Sequence, residues 1–214
     1  MRKIILIGIL ASFISCKNES GYNRDQEMGT SSEKKDSDKK FIWTETKVTL
    51  NKDCELEEFL KNPKIPKLAK DLFENKATND DKALEYFEKL KSLDKYERNF
   101  YFKVITNLYK VADGSTSEGL GYSGLMYIEE NTLDFLNYFE SKSCFSENDL
   151  KAWVGIVMLE FSLEYDNENN PNIVNSYISK LNLNSGKCNP SQKQTLKKFN
   201  DFLKEEWKIR LSKQ

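Results

Sequence analysis

The chain has no histidine among its 214 residues, only four prolines and nine glycines, and no large excess of either charge. Without an imidazole there is no Ser-His-Asp or Cys-His pair, no histidine-containing zinc site, and no His switch near neutral pH. Acid–base chemistry would fall to paired carboxylates, lysine or tyrosine. The 33 basic and 34 acidic residues nearly cancel, which argues against a nucleic-acid partner, for which a basic stripe is expected. No basic amphipathic helix stands out to hold a membrane surface. Long apolar runs are missing too. The N-terminal one, residues 4–14, is interrupted by Gly8 and Ser12 and falls short of the about 20 residues needed to span a bilayer.

The surroundings of that run give it a meaning. Arg2 and Lys3 precede it, and Ser15 and Cys16 close it, the pattern of a removable export signal. The segment Phe13-Ile14-Ser15-Cys16 resembles the lipobox of bacterial lipoproteins, whose commonest form carries leucine first and a small residue second. The resemblance implies that residues 1–15 are cleaved and that Cys16, acylated with chains such as palmitate, becomes the first residue of the mature protein. In that class an aspartate after the cysteine favours the inner membrane. Lys17 stands there instead, so the resemblance implies the outer membrane, with the membrane partner reached through the lipid. Without Arg2 and Lys3, 31 basic residues face 34 acidic ones, a net charge of −3.

Residues 16–40 (from Lys17, KNESGYNRDQEMGTSSEKKDSDKK) are polar and aperiodic. They cannot bury enough surface to offset their ordering entropy, which predicts a flexible tether spanning roughly 25–30 Å. Residues 41–214 are long enough for one domain, and thirteen Phe, ten Tyr and three Trp can fill its core. Residues 41–50 alternate as a strand does, with Ile42, Thr44, Thr46, Val48 and Leu50 on one side. With no partner strand in view, this stretch is expected to be an arm lying across helices, or an edge awaiting a partner strand.

From there the period is helical. Two short helices are expected over 55–61 and 66–74. Longer ones follow over 80–92, with Asn79 or Asp80 as a candidate N-cap, and over 95–111, with Phe100, Val104 and Leu108 on one face. The next run over 121–140, 147–166 behind Ser146, 171–183 behind Pro171, and about 191–210. The last four carry Ile128, Trp153, Tyr177 and Phe199 on their apolar stripes. Helices of this length joined by short loops favour antiparallel neighbours. The expectation is an all-α fold, an up-and-down stack of about six to eight helices. In architecture it resembles a small α-α array of the tetratricopeptide kind, although the 34-residue period is absent; a closed bundle is the alternative.

If Cys16 carries lipid, Cys54, Cys144 and Cys188 enter an oxidising compartment and one is left odd. In an up-and-down stack the loops holding Cys144 and Cys188 lie at the same end, so a Cys144–Cys188 disulfide is plausible. Three scattered thiols do not form a zinc site, and neither metal nor cofactor is expected. Gly119, Gly121 and Gly124 spell G-x-G-x-x-G, but the dinucleotide fingerprint needs a strand before it and a helix after it. A helix precedes it here, so these glycines are expected in a connection. That connection, 112–124, is the longest irregular one foreseen, and Asp113, Glu118 and Tyr122 within it could engage a partner. Glu160 and Glu164, four apart on one face, are the best candidate acid–base pair, although a solvated rim beside the core stripe explains them more simply.

These residues support a non-enzymatic envelope lipoprotein that binds another protein, as an immunity or inhibitor protein guarding against a toxin. The alternatives are an accessory lipoprotein of a resident envelope complex and, more remotely, a glycan-directed enzyme working through carboxylates and tyrosines.

Overall fold

A computed structural model describes residues 56–213 except 79, 141–143 and 169, with the backbone alone for 165–168. The export signal, Cys16, the tether, the 41–50 arm and Cys54 lie outside the described residues. The described elements are α1 (Glu58–Lys61), α2 (Lys67–Phe73), a 3-10 helix (Asp81–Lys91), α3 (Lys95–Leu108), α4 (Gly114–Glu130), α5 (Thr132–Asn137), α6 (Glu147–Glu168), α7 (Ile173–Asn184), a 3-10 turn (Ser185–Lys187) and α8 (Pro190–Leu211). The fold is all-α, with no strand among the described residues.

Local chemistry explains most of the boundaries. Asp94 starts α3 by accepting from the backbone N–H of Tyr96 at 2.8 Å. Ser146 and Asp149 bond reciprocally at the start of α6: the Ser146 N–H reaches the Asp149 carboxylate at 2.9 Å, and the Asp149 N–H reaches the Ser146 hydroxyl at 3.3 Å. Asn189 and Gln192 form a capping box for α8, whose first residue is Pro190. The 81–91 segment winds as a 3-10 helix, in which residues three apart eclipse one another. Its buried residues fit that pitch, with Ala83 and Tyr86 in one row and Phe87 and Leu90 in the next.

The helices are not paired strictly in chain order. α3 packs on α2 and the 3-10 helix; α4 packs on the 3-10 helix and most extensively on α6; α5, α6 and α7 all meet α8. The core centres on Trp153, fully buried and stacked on Phe102 with ring centroids 4.6 Å apart. Phe102 also stacks on Tyr138 at 3.8 Å and takes Phe145 edge-on at 4.7 Å. Such ring pairs add to the area that the rings bury. The indole N–H of Trp153 donates to the Thr106 hydroxyl at 2.9 Å, which donates in turn to the Phe102 carbonyl at 2.7 Å. A ring of this size is thus buried with its one polar atom satisfied.

Two expectations are overturned. The 112–124 stretch is not an irregular connection, because α4 begins at Gly114. The Ser115 hydroxyl donates to the Asp81 carboxylate at 3.0 Å and the Thr116 hydroxyl donates to the same group, tying the first turn of α4 to the first turn of the 3-10 helix. Nor do Cys144 and Cys188 pair. Cys188 is a free, buried thiol that follows the 185–187 turn, where its N–H bonds to the Ser185 carbonyl at 2.9 Å. The shared end was foreseen correctly, since Asn189 reaches Glu140 at 2.6 Å; the Cys188 side chain, however, is part of the apolar core.

Candidate functional site

The three glycines of the G-x-G-x-x-G sequence all lie inside α4, so no strand-to-helix turn is formed there. Their role is close packing. A Cβ on Gly121 would stand 2.8 Å from the Glu160 backbone nitrogen and 2.9 Å from the Leu159 Cβ, and one on Gly124 would collide with the Ile156 side chain. As the α4 number rises the α6 number falls, so these helices run antiparallel with their backbones in near contact. Across the same helix, a Cβ on Gly119 would stand 2.5 Å from a methyl group of Leu84 in the 3-10 helix.

That close approach builds a ridge on the surface. Glu118 and Tyr122, one helical turn apart on α4, flank the Gly121 contact and are exposed, Tyr122 by 59%. From α6 come Leu163, 36% exposed, and the half-buried Glu160 and Glu164. Partial burial pushes the Glu160 carboxyl above its ordinary value, and the charges of Glu164 and Glu118 push it further. Glu118 of the foreseen partner-binding loop therefore comes near the foreseen acid–base pair, giving three mutually repelling carboxylates on the α4–α6 seam; Tyr122 lies one turn from Glu118 on α4, and Leu163 precedes Glu164 on α6. Asp113 does not join them. It occupies the N-cap position of α4, five residues before Glu118 and well around the helix from it.

Leu163 was missed in sequence because it belongs to the most apolar helix and looks like core, yet it is exposed on α6. The arrangement offers carboxylate acceptors and apolar area, and no nucleophile paired with a base. Among the described residues no group of three or more Cys, Asp or Glu side chains is placed to hold a metal ion.

A concavity, an open cleft of about 570 Å³, lies where α4 turns into α5 and is lined by Glu129, Asn131, Asp134 and Asn184 among others. Much of its polar lining is internally engaged. Lys180 pairs with Glu129 at 3.1 Å, and the Asn184 amide donates to the Glu129 carbonyl at 2.7 Å. The cleft thus holds α7 to the α4–α5 corner. No family model, curated protein or solved structure matches the chain.

Proposed function

We propose that the protein is a non-enzymatic lipoprotein of the bacterial envelope that binds another protein through the α4–α6 ridge, as an immunity or inhibitor protein does. The observation that carries the binding reading is the ridge itself, the neighbouring carboxylates of Glu118, Glu160 and Glu164, with Tyr122 exposed one turn along α4 and Leu163 exposed on α6. An exposed aromatic supplies contact area at low entropic cost. The carboxylates select a partner surface bearing lysine or arginine, because a basic side chain brought among them relieves their mutual repulsion. The envelope reading is supported by the residues 1–16 pattern and the lipobox-like FISC segment, with the lipid proposed on Cys16 and, because Lys17 is not aspartate, the outer membrane proposed as the location. No helix among the described residues is long and apolar enough to cross a membrane, so the proposed attachment rests on the acyl chains.

The test is capture from the native envelope with the full lipidated protein, run beside a Tyr122→Glu, Leu163→Asp double variant. Tyr122 is well exposed and Leu163 is 36% exposed, so the variant keeps the helical circular dichroism of the parent, with a melting temperature lowered by the added negative charge. A partner retained by the parent and lost by the variant supports the reading. A partner that ignores the substitutions sinks the ridge as the binding surface. A toxic enzyme whose activity falls on binding identifies an inhibitor, whereas a resident complex recovered from unchallenged cells makes the protein an accessory component instead.

A further inference from the structure

We propose that the outer face of α7 and α8 lies against a phospholipid surface bearing anionic headgroups, held there by a row of lysines along α8. This contact presupposes the envelope location proposed above. It orients a protein that its lipid has already brought to the membrane.

Between residues 170 and 200 the chain carries Lys180, Lys187, Lys193, Lys197 and Lys198 and no aspartate or glutamate, although the whole chain is slightly acidic. Lys180 and Lys198 are committed to acids on other helices, Glu129 and Glu147, both at 3.1 Å. On α8 other lysines form a row. A helix turns about 100° per residue, so the exposed Lys193, Lys197, Lys204 and Lys208 share one stripe. At about 1.5 Å per residue the stripe runs for roughly 22 Å. Lys197 pairs with Asp201 at 2.6 Å, whereas Lys193, Lys204 and Lys208 make no ion pair among the described residues. In sequence the row is hidden by Asp201, Glu205 and Glu206. In the helix Asp201 is taken by Lys197, Glu206 is half-buried near Tyr109, and Glu205 lies about a quarter turn from the row.

The row borders α7. Lys197 and Lys204 stand one helical turn either side of Asn200, whose amide donates to Asn182 of α7 at 3.3 Å. The solvent side of α7 carries no acid to oppose the row: Asn175, Ser179 and Asn182 are exposed there, with Leu183 82% exposed. Lysine is a hydrated point charge on a flexible stem, suited to fluid headgroups whose phosphates hold no fixed arrangement. A protein partner would call for aromatic or arginine anchors, and the row and its α7 border have neither. Four or more basic residues on an amphipathic helix mark contacts with anionic leaflets. The attraction fades within about 8 Å at physiological salt, so it acts on a protein already held close.

The test is lysine footprinting of the full lipidated protein on vesicles of phosphatidylcholine, alone or mixed with phosphatidylglycerol. A water-soluble acylating reagent, used sparingly, labels exposed amines, and mass spectrometry reads each site. With the anionic lipid present, Lys193, Lys204 and Lys208 should label about three- to tenfold more slowly, while the exposed Lys82 and Lys95 on other elements label as before. Salt at about 1 M, where the screening length is about 3 Å, should erase the difference. A Lys193→Gln, Lys204→Gln, Lys208→Gln variant breaks no ion pair, so it should keep the parent's circular dichroism while its Lys197 labels equally on both vesicles. Equal labelling of the parent's three lysines on the two vesicles overturns the proposal, as does protection of Lys82 and Lys95 instead, or protection of the row by an acidic protein and not by lipid. The envelope reading fails separately. A protein without acyl chains would not join phosphatidylcholine vesicles, and recovery with phosphatidylglycerol vesicles alone would then leave the row as the contact. Recovery with neither overturns both.

Discussion

Glu160 is the residue in which surface chemistry and stability meet most directly. Folding brings it to a partly buried position near Glu164 and Glu118, so the folded chain holds its proton more tightly than the unfolded chain, whose carboxyl titrates near 4.5. As pH rises above 4.5 the unfolded state releases the proton first, and stability falls until the folded carboxyl is also ionised. At neutral pH the full penalty is in place. Glu160→Gln removes it, so the variant should melt above the parent at pH 7 and with it at pH 3.5, where both states of the parent are protonated. Thermal scans at the two pH values check this, and an equal gain at both would refute the electrostatic origin. The sequence placed Glu160 and Glu164 on one face correctly, but Glu118 comes from another helix and no local spacing could supply it. Asn107 makes the same point inside the core. Its helical position was legible, yet its amide is buried to donate to the Leu72 and Phe73 carbonyls at 3.1 and 3.0 Å, groups more than thirty residues away in the chain.

At the scale of elements, the helices with long apolar stripes were legible: α3, α6, α7 and α8 follow from their period, and the start of α6 also from Ser146, whereas the caps Asp94 and Asn189 emerge only in the structure. The start of α4 was not, because glycine and serine disfavour helix interiors and the compensation is tertiary. Asp81 bonds the first turn, and the glycines let α4 settle against α6 and the 3-10 helix. Gly119 and Gly121 should therefore respond differently to alanine. Each change gains up to about 1 kcal/mol of helix propensity. At Gly119 the new methyl meets the mobile end of Leu84, so the net effect should be near zero. At Gly121 it meets the α6 backbone, which cannot turn aside, and the net cost should be about 1–3 kcal/mol. Urea unfolding midpoints of the two variants decide the matter. Equal effects would mean that the α4–α6 distance is set by something other than the missing Cβ.

For the whole molecule, the proposed function assigns separate jobs to the helical unit and to the N-terminal segment. In that proposal the ridge would recognise a partner, and the lipid would decide where that recognition takes place. The proposed attachment should depend on one atom, the sulfur of Cys16. A single acyl chain holds a protein only marginally, and stable anchoring takes a second lipid or charge signal; several chains on one cysteine would meet that need. Cys16→Ser should therefore abolish incorporation of labelled palmitate and move the protein from the membrane to the soluble fraction, while its helical circular dichroism stays unchanged. If palmitate is still incorporated, the lipid is carried elsewhere. If palmitate is lost but the protein stays with the membrane, the helical unit is held there by a resident partner, and the accessory reading gains over the inhibitor one. Repeating the fractionation with Tyr122→Glu added separates these contributions, because release only in the combined variant would trace the remaining attachment to the ridge.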